Sequence, residues 1–154
     1  AAMDGWLLLL VGSGDAIPAL KAKVEANHWS DKVKFVGRVP YAELLAYTKN
    51  ADVGLSLDKD TNINYRYSLP NKLFDYLHCD LPVVTSHVVE VKRIVETYKL
   101  GRCVEPENIA EIRAALEDVG ARVADFEPGL KRAQKELVWE VEQQPLRAFY
   151  AEFL

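Results

Sequence analysis

Trp6-Leu7-Leu8-Leu9-Leu10-Val11-Gly12-Ser13-Gly14-Asp15 is the stretch that decides the fold. A continuous apolar run ended by two glycines has the profile of a strand buried on both faces and closed by a tight turn. Asp15 is placed to cap the helix that follows and Pro18 suits its first turn. Leu20, Val24 and Ala26 line an apolar side as far as about His28. The alternation then repeats. Val33 to Val36 reads as a second strand closed by Gly37, and Tyr41 to Lys49 as a helix turning Leu44, Leu45 and Tyr47 inward. Asp52 to Leu57 reads as a third strand, followed by a polar stretch without periodicity, Asp58 to Asn64. A strong helical pattern follows Ser68-Leu69-Pro70-Asn71 and runs through Cys79. Pro82 to Thr85 and Arg102 to Val104 are strands on either side of a helix from Val89 to Tyr98. The remainder reads as helix: Asn108 to about Asp118, Pro128 to Gln144, then Leu146 to Leu154. Strand, helix, strand in repetition implies parallel pairing through right-handed crossovers. The fold class is therefore α/β, a Rossmann-like doubly wound parallel sheet of about five strands with helices on both faces. Ligands of such sheets bind at the carboxyl ends of the strands. That directs attention to the loops Gly12–Asp15, Gly37–Pro40, Asp58–Asn71 and Ser86–Glu90.

Composition narrows the function classes. A chain of 154 residues is the size of one domain, and 49% hydrophobic with 27% charged residues is globular composition. Lys and Arg total 19 against 23 Asp and Glu, a net charge of −4, which offers no footprint for nucleic acid. The run from Trp6 to Val11 is far short of the ~20 apolar residues of a membrane helix. No signal-peptide pattern opens the sequence. It begins Ala1-Ala2-Met3, which suggests a processed or cut-out piece. Cys79 and Cys103 form no CxxC pair and read as ordinary half-buried thiols of a reducing compartment. His28, His78 and His87 lack the spacing of zinc ligands, and no GxSxG elbow supports a hydrolase.

Gly12-Ser13-Gly14 resembles the start of a dinucleotide fingerprint, but Ile17 occupies the third glycine position. No acid ends the second strand, at Phe35-Val36-Gly37, to hold a ribose. NAD binding fails on both counts. A phosphoacceptor receiver domain fails as well, because the first strand lacks the acidic pair and the third ends Leu-Ser-Leu. Tyr65-Arg66-Tyr67-Ser68-Leu69-Pro70-Asn71-Lys72-Leu73-Phe74-Asp75-Tyr76 says more. Ser68 or Leu69 would precede the helix, and Pro70 suits its first position because it gives up only an orphan N–H. The helix start then presents backbone N–H groups and partial positive charge to a phosphate. Lys72 adds a point charge, and Asp75, a turn further on, can accept from a sugar hydroxyl. The plain alternative is a capped core helix packing Leu73, Phe74 and Leu77 inward, with Lys72 and Asp75 solvated.

Ser68-Leu-Pro-Asn-Lys-Leu-Phe-Asp-Tyr-Leu77, followed by Asp80-Leu-Pro-Val-Val84, resembles the donor-binding segment of family-4 retaining glycosyltransferases of the GT-B fold. Other pieces agree in order. Leu8 to Gly14 resembles LxxVGxG; Val33 to Val39 with Glu43, Leu44 and Tyr47 resembles VxFxGxVxxxELxxY. Ala51-Asp52-Val53-Gly54-Leu55 resembles ADVxL, and Leu137-Val138-Trp139-Glu140 the late xxWE. The resemblance covers most of the chain and implies a nucleotide-sugar-binding (donor) domain, residues 1–154, of an enzyme that transfers a sugar with retention. Surface polysaccharide or glycan assembly is the expected role and the cytoplasm the expected place, with only peripheral membrane contact. The family's E-x7-E motif puts its second acid, which holds the donor ribose, on Asp75, and its first on Tyr67, so the acid that touches the donor sugar is replaced. The base-contacting loop corresponds to Gly37, Arg38 and Val39, and the diphosphate contacts to the backbone around Pro70, Asn71 and Lys72. With Gly12, Gly14, Tyr67, Ser68, Leu69 and Asp75 these make up the implied donor site. The resemblance implies no metal or other cofactor, no catalytic residue within this stretch, and no transfer by this stretch alone. It implies that an N-terminal strand, an Arg/Lys loop and the acceptor domain lie outside the sequence. Trp139, Phe149, Tyr150 and Phe153 would face that absent domain, or Trp139 its own sheet. The competing expectations are a non-catalytic nucleotide-binding module and a GT-B-type sugar-nucleotide epimerase.

Overall fold

The computed structural model describes residues 3–153. The chain divides into two compact units, one ending at Tyr47 and the other beginning at Thr48. The first holds β1 (Leu8–Val11), α1 (Ile17–Ala26), β2 (Val33–Gly37) and most of α2 (Tyr41–Lys49). The second holds β3 (Gly54–Ser56), α3 (Ile63–Arg66), α4 (Asn71–His78), β4 (Val83–Ser86), α5 (Val89–Tyr98) and β5 (Gly101–Val104). Then come α6 (Ile109–Ala121), a 3-10 turn (Val123–Phe126), α7 (Glu127–Glu136) and α8 (Trp139–Ala151). All strand pairs among the described residues are parallel, as the alternating pattern requires. They are hydrogen-bonded as two sheets, β1-β2 and β3-β4-β5.

The second unit carries the core. Every buried hydrophobic side chain among the described residues lies between Leu73 and Ala133. All four residues of β4 are buried. Successive strand residues point to opposite faces, so both faces of β4 are covered. Helices α4 and α5 each place an i, i+4 stripe on this core, Leu73 with Leu77 and Val91 with Val95. Three helices end the same way. His28, Asp80 and Lys99 take left-handed φ of 55°, 60° and 57°, and the next residue donates back to the helix. Those bonds are Trp29 N to Val24 O at 2.9 Å, Leu81 N to Tyr76 O at 2.9 Å, and Leu100 N to Val95 O at 3.0 Å. This is the Schellman closure without its usual glycine. Leu81 and Leu100 are thereby buried at the entrances to β4 and β5.

Several expectations need correction. The opening apolar run is not covered on both faces: Leu7, Leu8 and Leu9 are 51%, 40% and 38% exposed. A two-stranded sheet whose helix α1 buries no side chain has too little apolar surface to cover them. Asp15 does not cap α1. The N-cap is Ala16, one residue later than expected, and makes no side-chain bond. The polar stretch is not featureless: Asn62 caps the short helix α3, its side chain accepting from the backbone N–H of Asn64 and Tyr65. The C-terminal helices divide at Leu137–Val138 and not at Pro145. Val138 is extended, with φ −127° and ψ 153°, and Glu140 and Glu142 then favour a helix start. Pro145 lies inside α8. Both it and Val141 are exposed. Water can therefore serve the Val141 carbonyl that the ring leaves without a donor. Ala1, Ala2 and Leu154 lie outside the described residues.

Candidate functional site

In the first unit, β1 and β2 run in register from Leu8–Val33 to Leu10–Phe35 and then shift, so that Val11 pairs with Gly37. The irregularity accommodates one extra residue in β2 and turns its end. Gly12 N donates to Gly37 O at 2.8 Å, which ties the two glycine loops together at the carboxyl edge of the sheet. Gly12 and Gly37 have φ of 140° and 87°, conformations that disfavour any side chain. Gly14 has no such constraint. A Cβ built on any of the three would meet nothing within 4 Å. The chain itself gives no reason for glycine at position 14; an open approach beside the loop does. Arg38 is exposed and Val39 half-buried on the segment leading to α2.

In the second unit, the candidate residues gather at the start of α4. Pro70 is the N-cap (φ −71°, ψ 138°), one position earlier than expected, and offers no side-chain cap. Its extended backbone is what a proline supplies. The amides of Asn71 and Lys72 have no intrahelical acceptor, while Leu73 N donates to Pro70 O at 3.0 Å. Asn71 is exposed, Lys72 half-buried, and Asp75 half-buried one turn on. Ahead of the helix, Tyr67 is the C-cap of α3 and exposed, and Leu69 is exposed as well. The Ser68 hydroxyl donates to Tyr65 O at 3.1 Å. Leu73 and Leu77 are buried on the opposite side, so α4 is also the core helix of the plain alternative.

Asp58 is the residue that sequence reasoning missed. It stands two positions beyond β3, and its carboxylate accepts from the Ser56 hydroxyl at 2.7 Å and from Lys72 Nζ at 3.1 Å. The Ser86 hydroxyl, at the end of β4, donates to its backbone carbonyl. Ser56 and Ser86 are both buried. Burial alone would raise the pKa of Asp58, but the hydrogen bonds from Ser56 and Lys72 outweigh it and hold the carboxyl below its ordinary value. Tyr76, next to Asp75 in α4, donates its hydroxyl to Leu55 O at 3.2 Å and keeps the helix against β3. Burial pushes that phenol above its usual pKa. The signal in the sequence was an acid directly after a strand, Ser56-Leu57-Asp58, within a loop that the fold class singles out.

Elsewhere, Cys79 and Cys103 are half-buried thiols, each with its pKa raised by burial. Among the described residues, no group of three or more His, Cys, Asp or Glu could hold a metal ion. Among them too, no helix is long and apolar enough to cross a membrane. Trp139, Phe149, Tyr150 and Phe153 are all exposed, Trp139 included, and the rings of Phe149 and Phe153 meet at a tilt with centroids 5.0 Å apart.

Comparison with known proteins adds to this geometry. Residues 1–121 match the sequence model of a family described as glycosyl transferases group 1. No curated protein matches the chain. Among solved structures, it is similar to sucrose-phosphate synthase from Thermosynechococcus elongatus, with a TM-score of 0.72 and 21% identity over 95% of this chain. It is also similar to WaaG, a glycosyltransferase involved in lipopolysaccharide biosynthesis, with a TM-score of 0.65 and 16% identity over 92% of this chain. At such identities the likeness is one of fold. The chain spans 38% of the first structure and 36% of the second.

Proposed function

From the premise that this chain belongs to the glycosyl transferases group 1 family and has the Rossmann-like α/β fold of GT-B enzymes, we propose that it binds the nucleotide-sugar donor of a retaining glycosyltransferase. The start of α4 carries the reading: the amides of Asn71 and Lys72 with no side-chain cap, the Lys72 ammonium beside them, and Asp75 one turn on, at a loop that follows the carboxyl end of β3. Amides and an ammonium suit a diphosphate, and a carboxylate one turn further suits a ribose hydroxyl. Within the first unit, the open glycine loops at the carboxyl edge of β1 and β2, with Arg38 and Val39 beyond them, leave room for the close approach of a ligand.

In transfer, the bond between the sugar's anomeric carbon and the diphosphate oxygen breaks, and negative charge grows on the departing diphosphate. The α4 amides and Lys72 are fixed donors aimed at that charge, so this part of the enzyme acts through positioning and electrostatic stabilisation. No metal enters the scheme. The acceptor is held by a further domain, a division supported by the chain's span of little over a third of the two matched structures. Polysaccharide or glycan assembly in the cytoplasm, with a hexosyl donor, is the setting this reading assigns.

Calorimetric titration with UDP, GDP and ADP tests the donor site. One of the three should bind, and Asp75→Ala should weaken it about tenfold, roughly the ~1.4 kcal/mol of a ribose hydrogen bond to a charged group. Absence of binding by all three at millimolar concentration defeats the reading. An unchanged affinity in Asp75→Ala removes the ribose role alone.

A further inference from the structure

We infer that Asp58 is a positioning residue for donor binding: it holds the Lys72 ammonium at the mouth of α4, ready for the diphosphate. The inference rests on the donor-site reading above. Lysine is a poor fixed charge by itself, since its four-carbon stem samples many rotamers and each must be frozen when a phosphate arrives. Here the stem has a fixed partner. Lys72 Nζ lies 3.0 Å from one Asp58 carboxylate oxygen and 3.1 Å from the other.

Asp58 in turn does not wander. The Ser56 hydroxyl holds its carboxylate and the Ser86 hydroxyl its backbone carbonyl, and both serines are buried at the ends of adjacent strands. The chain of contacts thus runs from the floor of the sheet through Asp58 to the first turn of α4. An ammonium has three donors, and the shared carboxylate leaves the outward ones for a ligand. The pair is only partly exposed, at 40% and 31% for the two side chains, so Lys72 is tethered without being sealed off.

Asp58 also carries a negative charge, which opposes an incoming diphosphate. That repulsion is the weaker effect. The ammonium lies between the carboxylate and the ligand, and the site mouth is open to water and salt, so the repulsion is screened. The ordering of a free lysine is not screened by anything. Removing Asp58 should therefore weaken diphosphate binding, against the direction that charge alone predicts.

The test is a double-mutant cycle on this chain, using whichever of UDP, GDP and ADP binds and the matching nucleoside without phosphates. Asp58→Asn should weaken the diphosphate three- to tenfold and leave nucleoside affinity within twofold. In a Lys72→Met background the same Asp58→Asn change should have no further effect, because there is then no ammonium to position. Asp58→Glu should recover part of the loss. A diphosphate affinity that is unchanged or tighter in Asp58→Asn overturns the inference while leaving the donor site standing. So does an equal loss in the Lys72→Met background, or a parallel loss of nucleoside binding, either of which would mark a change in the fold. Wild-type chain that binds no diphosphate removes donor site and inference together.

Discussion

Two glycines of this chain separate what the fold demands from what a ligand demands. A Cβ at Gly101 would lie 1.8 Å from the carbonyl oxygen of Val83, so the approach of β5 to the fully buried β4 depends on the missing side chain. At Gly14 the same atom would meet nothing within 4 Å, and the backbone there takes no left-handed φ. The two alanine substitutions should therefore split cleanly. Gly101→Ala should cost roughly 3 kcal/mol or more in urea denaturation, because two paired strands must part. Gly14→Ala should fall within about 0.5 kcal/mol of wild type in the same assay, as an open surface site does. It should instead weaken nucleoside diphosphate binding several-fold if its openness serves the ligand. A stable Gly101→Ala protein would contradict the packing argument, and unaltered binding in Gly14→Ala would take that glycine out of the site. The sequence carries both glycines at strand ends and does not distinguish them, since the distinction lies in which backbone passes beside each.

Elements were legible where a local rule is strong. The helix expected from Tyr41 to Lys49 and that from Val89 to Tyr98 occur with those bounds, and the parallel strands follow from the alternation between them. Reading failed where a rule has two outcomes. Proline stops a buried helix but is tolerated on an exposed one, so α8 runs through Pro145 and the break falls at Val138. Pro70 fits either the cap or the first helical position, and it is the cap. The helix ends were hidden for a related reason. Three close on left-handed His28, Asp80 and Lys99, where a glycine would have announced the stop. Left-handed backbone costs a residue with a Cβ about 1 kcal/mol. Asp80 gains partners there, since its carboxylate accepts from Lys131 and Gln134 at 2.7 and 2.6 Å. Lys99, by contrast, holds the left-handed C-cap of α5, its backbone N–H donating to Val95 O. Lys99→Gly should accordingly raise stability by roughly 0.5–1 kcal/mol, read as a higher urea midpoint at unchanged slope. Asp80→Gly should gain less or lose. If Lys99→Gly destabilises the protein, the αL cost is not what limits this helix end.

Across the whole molecule, apolar sequence and buried structure part company. The most apolar run of the chain, Trp6 to Val11, lies in the unit where no described residue up to Tyr47 is buried, while every buried hydrophobic side chain among the described residues falls between Leu73 and Ala133 in the other. A continuous hydrophobic run identifies a strand, but coverage of its faces depends on what else packs there, which periodicity does not report. Burial is the main source of stability, so the two sheets should open at different free energies. Strands β4 and β5 are held by helices whose stripes are buried, and their amides should exchange only through global unfolding. Among the described residues, strand β1 pairs with β2 alone and helix α1 buries none, so the β1 amides should exchange through a smaller opening. Native-state hydrogen exchange at low denaturant separates the two. Val84 and Thr85 should show protection with the full denaturant dependence. Leu10, whose strand partner is Phe35, should exchange at least about a hundredfold faster, a gap of ~3 kcal/mol, with a weaker dependence. Added nucleoside diphosphate makes the comparison sharper. A ligand that contacts the Gly12–Gly37 edge adds its binding energy only to states in which that edge is formed, so exchange in β1 should slow with ligand concentration as mass action requires. Equal protection of both sheets without ligand would mean that the exposed leucines are held by something other than burial. Faster exchange in β1 that ligand leaves untouched would place the nucleotide away from the glycine loops.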